Sequence, residues 1–469
     1  MLFWQVVDPG RRVASPHPLS MQDSDPAPAA DGQPRLRKSL GLFDGIALLI
    51  GITIGAGIFS TPSKIAAYSE SFYPIILLWV VCAGFVFIGG LIYAELGTRV
   101  PKTGGEYVYI HQAFGPFAAF MFGWAQLIIV RTSPAAGLAI IAVDYLGYFT
   151  GELADWARTV IALSIIAALG ALNYLGIHRA SLYQKVSTAF KLFGLLALVV
   201  VAVSLSGTQE SLLGTQSPVT ATGGPIGHTV AAMMLVIFSY MGFDRVGYVA
   251  GEMKRPRRDL PLSLGIGLGI VVVVYLLANF VYHRTLGMDG VRESEIVASD
   301  MAQQLLGPVG AGFVAILVIV STTGSTNGTM MAAPRVYYAM ARDGLFFRWL
   351  GFVHPRYRTP SLAILAHCVW AAVILLVKGG FEGIVTGMVF AVLIFYALTT
   401  LALFKLRRKG IGGEDVYRMP LYPILPMIYL VGILGLIVLR AYYYWGDTWK
   451  DLAFVASGIP FWLYWTRRR

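Results

Sequence analysis

Twelve apolar segments, each long enough to cross a lipid bilayer, run through almost the whole of this 469-residue chain. A membrane-spanning helix needs about 20 apolar residues, so twelve of them would use about 240 residues. The chain is 57% hydrophobic and only 13% charged, whereas a soluble globular protein carries about 25% charged residues. The sequence therefore excludes a soluble enzyme, a nucleic-acid-binding domain and a disordered scaffold. It predicts an all-helical protein that crosses the membrane many times.

The distribution of positive charge indicates how these segments are oriented. With the N-terminus in the cytoplasm, 26 of the 36 Lys and Arg residues fall in cytoplasmic segments and 7 in outward-facing ones. Because positive charge collects on the cytoplasmic side, we predict a multi-pass protein of the cell membrane with both termini in the cytoplasm. The predicted spans are 41–67, 74–97, 114–147, 158–177, 184–206, 228–250, 262–286, 308–340, 360–378, 382–405, 421–443 and 449–466.

The first apolar segment contains a cluster of glycines that predicts a break in its helix. Gly51, Gly55 and Gly57 lie within seven residues, and each glycine lowers helix stability by about 1 kcal/mol relative to alanine. Unwound backbone inside a membrane is tolerated only where it is buried in protein or lines a cavity. A break would expose N–H groups near Ala56 and carbonyls near Ile54, which together suit a zwitterion. The alternative is close packing of two helices through small residues.

A second interruption lies in the sixth segment, where residues 238–244 read Phe-Ser-Tyr-Met-Gly-Phe-Asp. Each interrupted segment is followed by four further spans, and such paired interruptions are typical of transporters built from inverted repeats.

The chain divides into four predicted regions. Residues 1–38 are rich in Pro, Asp and Ser, a composition that predicts a disordered cytoplasmic tail. A first five-helix repeat would follow over 39–206 and a second over 207–405. Two additional helices and a short cytoplasmic C-terminus would occupy 406–469.

Several short motifs carry a resemblance to a known family. They are Ile54–Phe59, Tyr93–Gly97, Pro101–Tyr107, Phe190–Leu192, Gly251–Leu262 and Thr326–Gly344. In this order they resemble the amino acid–polyamine–organocation (APC) family of transporters, and especially its L-type amino acid transporter branch. The resemblance covers nearly the whole chain and is specific for the family, but not for the substrate. It implies twelve helices in the leucine-transporter-like fold, a five-plus-five inverted repeat with two extra helices and with helices 1 and 6 broken.

The resemblance implies an amino acid site between the broken helices, near the middle of the membrane. The substrate carboxylate would meet N–H groups of residues 56–58, and its ammonium would meet the carbonyls of residues 54, 238 and 239. Its side chain would face residues 241 and 243 and helix 10 near Val389 and Phe390. Ala56 replaces a common serine, and Met241 replaces a common glycine and narrows the pocket towards small or medium substrates. The implied substrate-binding residues are Ile54, Ala56, Gly57, Ile58, Phe238, Ser239, Met241 and Phe243.

Several charged residues lie inside predicted spans, where a charge costs about 2.5 to 3.5 kcal/mol. Lys191 could snorkel to the interface, but the resemblance places it where sodium-coupled relatives hold a cation. We assign Lys191 and Arg131 to coupling and gating, with Lys191 acting either as a proton carrier or as a fixed charge. Asp244 and Arg245 are interpreted as partly neutralised by their neighbours. The alternative for this pair is contact with an acidic substrate side chain.

These observations predict a secondary active transporter that exchanges neutral amino acids, because the implied pocket has no acid for a cationic side chain. Because Arg131 and Arg245 are positively charged, acidic amino acids stay an alternative class of substrate. A proton-coupled symporter and a non-transporting amino acid sensor on the same fold are the alternatives. An enzyme is not expected, since the chain has neither a Gly-x-Ser-x-Gly elbow nor a His-Glu-x-x-His helix.

The expected partners are an amino acid substrate and the lipid bilayer, with no nucleic acid. No cofactor and no metal site are expected, and the two cysteines form no metal-binding pattern. Eukaryotic members of the L-type branch pair with a glycoprotein through a cysteine between helices 3 and 4. Residues 148–158 contain no cysteine, so we expect no disulfide-linked heavy chain there.

Overall fold

The computed structural model describes residues 36–205, 212–215, 224–378 and 382–467. The predicted disordered tail over 1–38 lies almost entirely outside these described residues. Inside them the chain is helical and has no β-strand. The α-helices are α1 (Leu42–Thr53), α2 (Gly57–Ala66), α3 (Phe72–Arg99), α4 (Glu106–Phe114), α5 (Pro116–Ala125), α6 (Thr132–Thr150), α7 (Asp155–Tyr174), α8 (Ile177–Leu205), α9 (Gly224–Tyr240), α10 (Pro256–Glu293), α11 (Val297–Leu306), α12 (Pro308–Ala332), α13 (Pro334–Arg342), α14 (Ser361–Lys378), α15 (Glu382–Arg408), α16 (Ile424–Tyr443), α17 (Trp445–Ala456) and α18 (Gly458–Arg467).

Many of these helices are long and apolar because a membrane interior offers no water to the backbone. In the described ranges, nine helical segments can cross a membrane by length and composition, and the bent pair α1 and α2 makes ten. The all-helical, polytopic architecture is therefore confirmed. The ninth predicted span is the shorter apolar helix α14, and the twelfth is divided between α17 and α18. The count of twelve spans and the inverted repeat stay predictions.

The first predicted span is interrupted at its glycines. Helix α1 ends at Thr53, α2 begins at Gly57, and the two helices are bent by 42°. Helix α1 packs against α8, α10 and α12, so the interruption lies in the interior of the bundle. Residues from Leu48 to Ile58 are buried. The unwound backbone is thus enclosed by protein, as a membrane interior requires.

The sixth predicted span is interrupted beside the first. Helix α9 ends at Tyr240, and a 3₁₀ helix runs over Phe243–Glu252. Between them Gly242 has a φ of 130°, which glycine adopts without the steric cost that other residues incur. A Cβ on Gly242 would lie 3.2 Å from the backbone nitrogen of Thr53. The two interruptions therefore meet at Gly242. A residue with a side chain there would clash with Thr53 and would have a strained backbone conformation.

We expect Gly242→Ala to lower the free energy of unfolding by about 1–3 kcal/mol, the usual cost of one strained backbone conformation. The matched control is Gly265→Ala in α10, where an added Cβ meets no atom within 4 Å. Thermal unfolding of both variants in detergent checks this prediction. If Gly242→Ala and Gly265→Ala have the same free energy of unfolding, the contact between the two interruptions does not require glycine at position 242.

Candidate functional site

A cavity of about 60 Å³ lies between the two interrupted helices. One water needs roughly 10–15 Å³ in this measure, so the cavity has room for about four to six waters. That space suits a small polar molecule. The lining residues are Ile52, Thr53, Gly55, Ala56, Gly57, Ser133, Pro134, Leu138, Phe238, Ser239, Met241, Arg245, Ser325 and Met388.

The N-terminus of α2 opens onto this cavity. The N-cap residue Ala56 provides no side-chain hydrogen bond, and the first N–H groups of an α-helix have no intrahelical partner. These N–H groups carry the positive end of the helix dipole. Ala56 and Gly57 both line the cavity. The arrangement can therefore bind a carboxylate through backbone N–H groups alone, without a serine at position 56.

The hydroxyl of Tyr275 connects backbone carbonyls of the two interrupted segments. The hydroxyl of Tyr275, from α10, contacts the carbonyl oxygens of Thr53 (2.7 Å) and Ser239 (2.9 Å) and can donate its proton to either. Sequence reasoning did not identify Tyr275, because it lies in an ordinary apolar run. The hydroxyl of Thr53 has no hydrogen-bond partner in the described part of the chain. Thr53 is one of the residues that line the cavity.

Lys191 is fully buried beside the first interruption. Its Nζ donates to the carbonyl oxygens of Gly51 (2.9 Å) and Ile54 (2.7 Å), and it lies 3.1 Å from that of Ser321. The C-terminal end of a helix carries partial negative charge, so the ammonium group satisfies the end of α1 as a bound cation would. Lys191 thereby joins α8, α1 and α12 at one point.

A second buried group of charges comprises Arg131, Asp244 and Glu106, which we call the ionic cluster. Arg131 follows a π-helical turn at Gln126–Val130 and is bonded to the carboxylate of Asp244. Its Nη2 also lies 2.9 Å from the hydroxyl of Tyr248 and 3.8 Å from Glu106 Oε2. Glu106 accepts hydrogen bonds from Tyr248, at 2.6 Å, and from Tyr93. Sequence spacing could not pair Arg131 with Asp244, because 113 residues separate them.

The predicted site residues divide into two groups in the structure. Those that line the cavity are Ala56, Gly57, Phe238, Ser239 and Met241. Those that do not line it are Ile54, Ile58 and Phe243. The carbonyl of Ile54 accepts hydrogen bonds from Lys191 and from Ser321 Oγ (2.9 Å). The ring of Phe243 packs on Tyr93 and Tyr396.

Other residues that line the cavity could not be predicted from the sequence. Ser133, Pro134 and Leu138 begin α6 directly after Arg131, and no glycine cluster or charge marks them. On helix α15, Met388 lines the cavity, whereas the predicted Val389 and Phe390 do not. Among the described residues, no group of three or more His, Cys, Asp or Glu side chains could hold a metal ion.

Comparison with known proteins is consistent with this architecture. Residues 40–458 match the amino acid permease family. The b(0,+)-type amino acid transporter 1 of Mus musculus is 29% identical and covers 91% of this chain and 87% of its own length. The serine/threonine exchanger SteT of Bacillus subtilis is 31% identical, over 85% of this chain and 90% of its own length. The cystine/glutamate transporter of Homo sapiens is 27% identical, over 92% of this chain and 86% of its own length. The chain therefore belongs to the amino acid permease family, in agreement with the motifs that resemble its L-type branch.

Proposed function

We propose that the chain is a secondary active transporter that exchanges neutral amino acids across a membrane by alternating access to the cavity between the two helix interruptions. It is a multi-pass membrane protein whose relatives are amino acid transporters rather than enzymes. The observation that carries the proposal is the uncapped N-terminus of α2, which opens onto the cavity between the two interruptions. An amino acid offers a carboxylate to these N–H groups.

The cavity favours a small, neutral substrate. Its lining includes the apolar side chains of Leu138, Phe238, Met241 and Met388 and contains neither Asp nor Glu, so a cationic side chain would lack a counter-charge. The cavity volume of about 60 Å³ also disfavours a large aromatic side chain. One of the relatives, from Bacillus subtilis, is named as an exchanger of serine and threonine.

In this proposal, the chain has twelve helices arranged as a five-plus-five inverted repeat with two additional helices, and both termini are cytoplasmic. Lys191 and Arg131 are the coupling and gating residues, because each joins helices of different repeats. The transporter functions without a disulfide-linked heavy chain at residues 148–158, which contain no cysteine.

Uptake into proteoliposomes tests the proposal. Purified protein is reconstituted with or without internal unlabelled amino acid, and a panel of labelled neutral, cationic and acidic amino acids is added outside. We expect uptake of small neutral amino acids only into loaded vesicles, independent of an imposed pH gradient. Uptake into empty vesicles driven by inward protons would instead show a symporter, an alternative that the buried ammonium of Lys191 supports. Binding without uptake would show a sensor.

Met241 should limit the size of the substrate. This side chain is buried and lines the cavity, so Met241→Gly removes four heavy atoms from the wall. We expect Met241→Gly to raise uptake of leucine or phenylalanine relative to alanine by about tenfold, since a hydrophobic pocket discriminates 10–200-fold per methylene. Competition against labelled alanine measures the ratio. An unchanged ratio would place the side-chain pocket elsewhere.

A further inference from the structure

Arg245 places a positive charge in the wall of the cavity, and no carboxylate of the described residues lies within ion-pair distance of it. Arg245 lines the cavity and is only 5% exposed. Its Nη1 donates to Thr329 Oγ1 at 2.9 Å, its Nε has no hydrogen-bond partner, and it forms no ion pair with any described residue. A guanidinium has five N–H donors, and leaving such donors unsatisfied in a buried site is costly.

The nearest candidate counter-ion is already occupied. Asp244 precedes Arg245 in the sequence, but one carboxylate oxygen is bonded to Arg131 and lies 3.3 Å from the Tyr248 hydroxyl. The other accepts a hydrogen bond from Tyr396 at 3.2 Å. Among the described residues Arg245 therefore has no carboxylate within ion-pair distance, and it lines the cavity together with Ser239 and Met241.

We propose that Arg245 determines substrate specificity by donating hydrogen bonds to an oxygen on a short substrate side chain. This inference rests on the proposed function, since it assumes that an amino acid occupies the cavity. The α-carboxylate is assigned to the N–H groups at the N-terminus of α2, which also line the cavity. The side chain then supplies the acceptor that Arg245 lacks, so an amino acid such as threonine binds better than valine, which has the same shape without the oxygen.

The cost of burial favours a neutral oxygen over a second carboxylate. Moving an ionised carboxylate from water into a buried site costs far more free energy than moving a hydroxyl or an amide oxygen. The cavity volume of about 60 Å³ likewise favours the shorter polar side chains.

Competition between isosteres tests the role of Arg245. Labelled alanine counterflow is measured in proteoliposomes with increasing threonine or valine, and also with aspartate. In the unmodified protein we expect threonine to compete about tenfold better than valine, the effect of one hydrogen bond to a charged donor. In Arg245→Met, the threonine-to-valine preference should fall to within about twofold, the level expected when that hydrogen bond is absent. Arg258→Met, at an exposed arginine of α10, is the control and should retain the preference.

A second measurement separates recognition from folding. Stabilisation of the detergent-solubilised protein against thermal unfolding by threonine and by valine reports binding even when transport is lost. Thr329→Val, which removes the partner of Arg245 Nη1, should lower the threonine preference partially in both assays.

Two results overturn the inference and leave the proposed function standing: an unchanged threonine preference in Arg245→Met, or aspartate competing better than threonine. Absence of counterflow with every amino acid in the unmodified protein would instead refute the proposed function.

Discussion

Lys191→Met is expected to lower the exchange rate at least about 100-fold, because the ammonium group donates to three carbonyl oxygens and such charge-assisted hydrogen bonds contribute about 1.5–3 kcal/mol each. The carbonyl oxygens of Gly51 and Ile54 would lose their charged donor. The hydroxyls of Ser325 and Ser321 still reach these oxygens, at 2.8 Å and 2.9 Å. The interruption would therefore keep part of its hydrogen bonding, and the loss should appear in transport more than in folding.

The matched control for this prediction is Lys185→Met on the same helix. Lys185 is 38% exposed and pairs with Asp44, which is 17% exposed, at 3.0 Å, and an ion pair with access to solvent contributes only about 0–1 kcal/mol. Exchange rates and thermal unfolding temperatures are measured for both variants, at several pH values. If Lys191→Met exchanges amino acids at the unmodified rate and with the same pH dependence, Lys191 has no part in coupling.

Breaking the ionic cluster should have the largest effect on stability. Arg131→Met leaves the carboxylates of Asp244 and Glu106 buried without their cation, and removal of one partner of a buried ion pair costs about 3–5 kcal/mol. Asp244→Asn should also destabilise the protein, because it removes the charge that compensates Arg131. We expect both single variants to unfold at lower temperature and to lose transport.

A double-mutant cycle distinguishes this pairing from general damage. The double variant Arg131→Met with Asp244→Asn removes both charges, so its destabilisation should be smaller than the sum of the two single effects by about 1–3 kcal/mol, a typical coupling between contacting residues. Thermal or denaturant unfolding in detergent gives the four values. Strict additivity would mean that the two residues do not stabilise each other. A second double-mutant cycle serves as the comparison. It uses the ion pair of Arg440 in α16 with Asp451 in α17, whose charged atoms lie 3.1 Å apart.

The sequence was sufficient for the general architecture and for the location of the interruptions. Long apolar runs leave only helices as a structure in a membrane, and the glycines of the first span lie where α1 gives way to α2. Ala56, Gly57, Ser239 and Met241 line the cavity because they lie in the interruptions or in the helix turns next to them, which local sequence can reveal.

Contacts between distant parts of the chain could not be predicted from spacing. The bond between Arg131 and Asp244 and the two contacts of the Tyr275 hydroxyl each join different helices. They depend on how the helices pack, which a single sequence does not encode as a local pattern. The same reason explains why Ser133 and Met388 were missed. It also explains why Phe243, although next to the second interruption, packs on Tyr93 and Tyr396 instead of facing the cavity.

The most direct test of the account is protection of a cysteine placed in the cavity. Met241→Cys is made in a protein whose Cys82 and Cys368 are replaced by alanine, and its reaction with a thiol reagent is followed with increasing amino acid. Val309→Cys, at a position 80% exposed, is the control. We predict that amino acids that drive exchange protect the Met241→Cys thiol at the concentrations that half-saturate exchange, and leave the control unprotected. Exchange that proceeds without any protection of the Met241→Cys thiol would contradict a substrate site between the two interrupted helices.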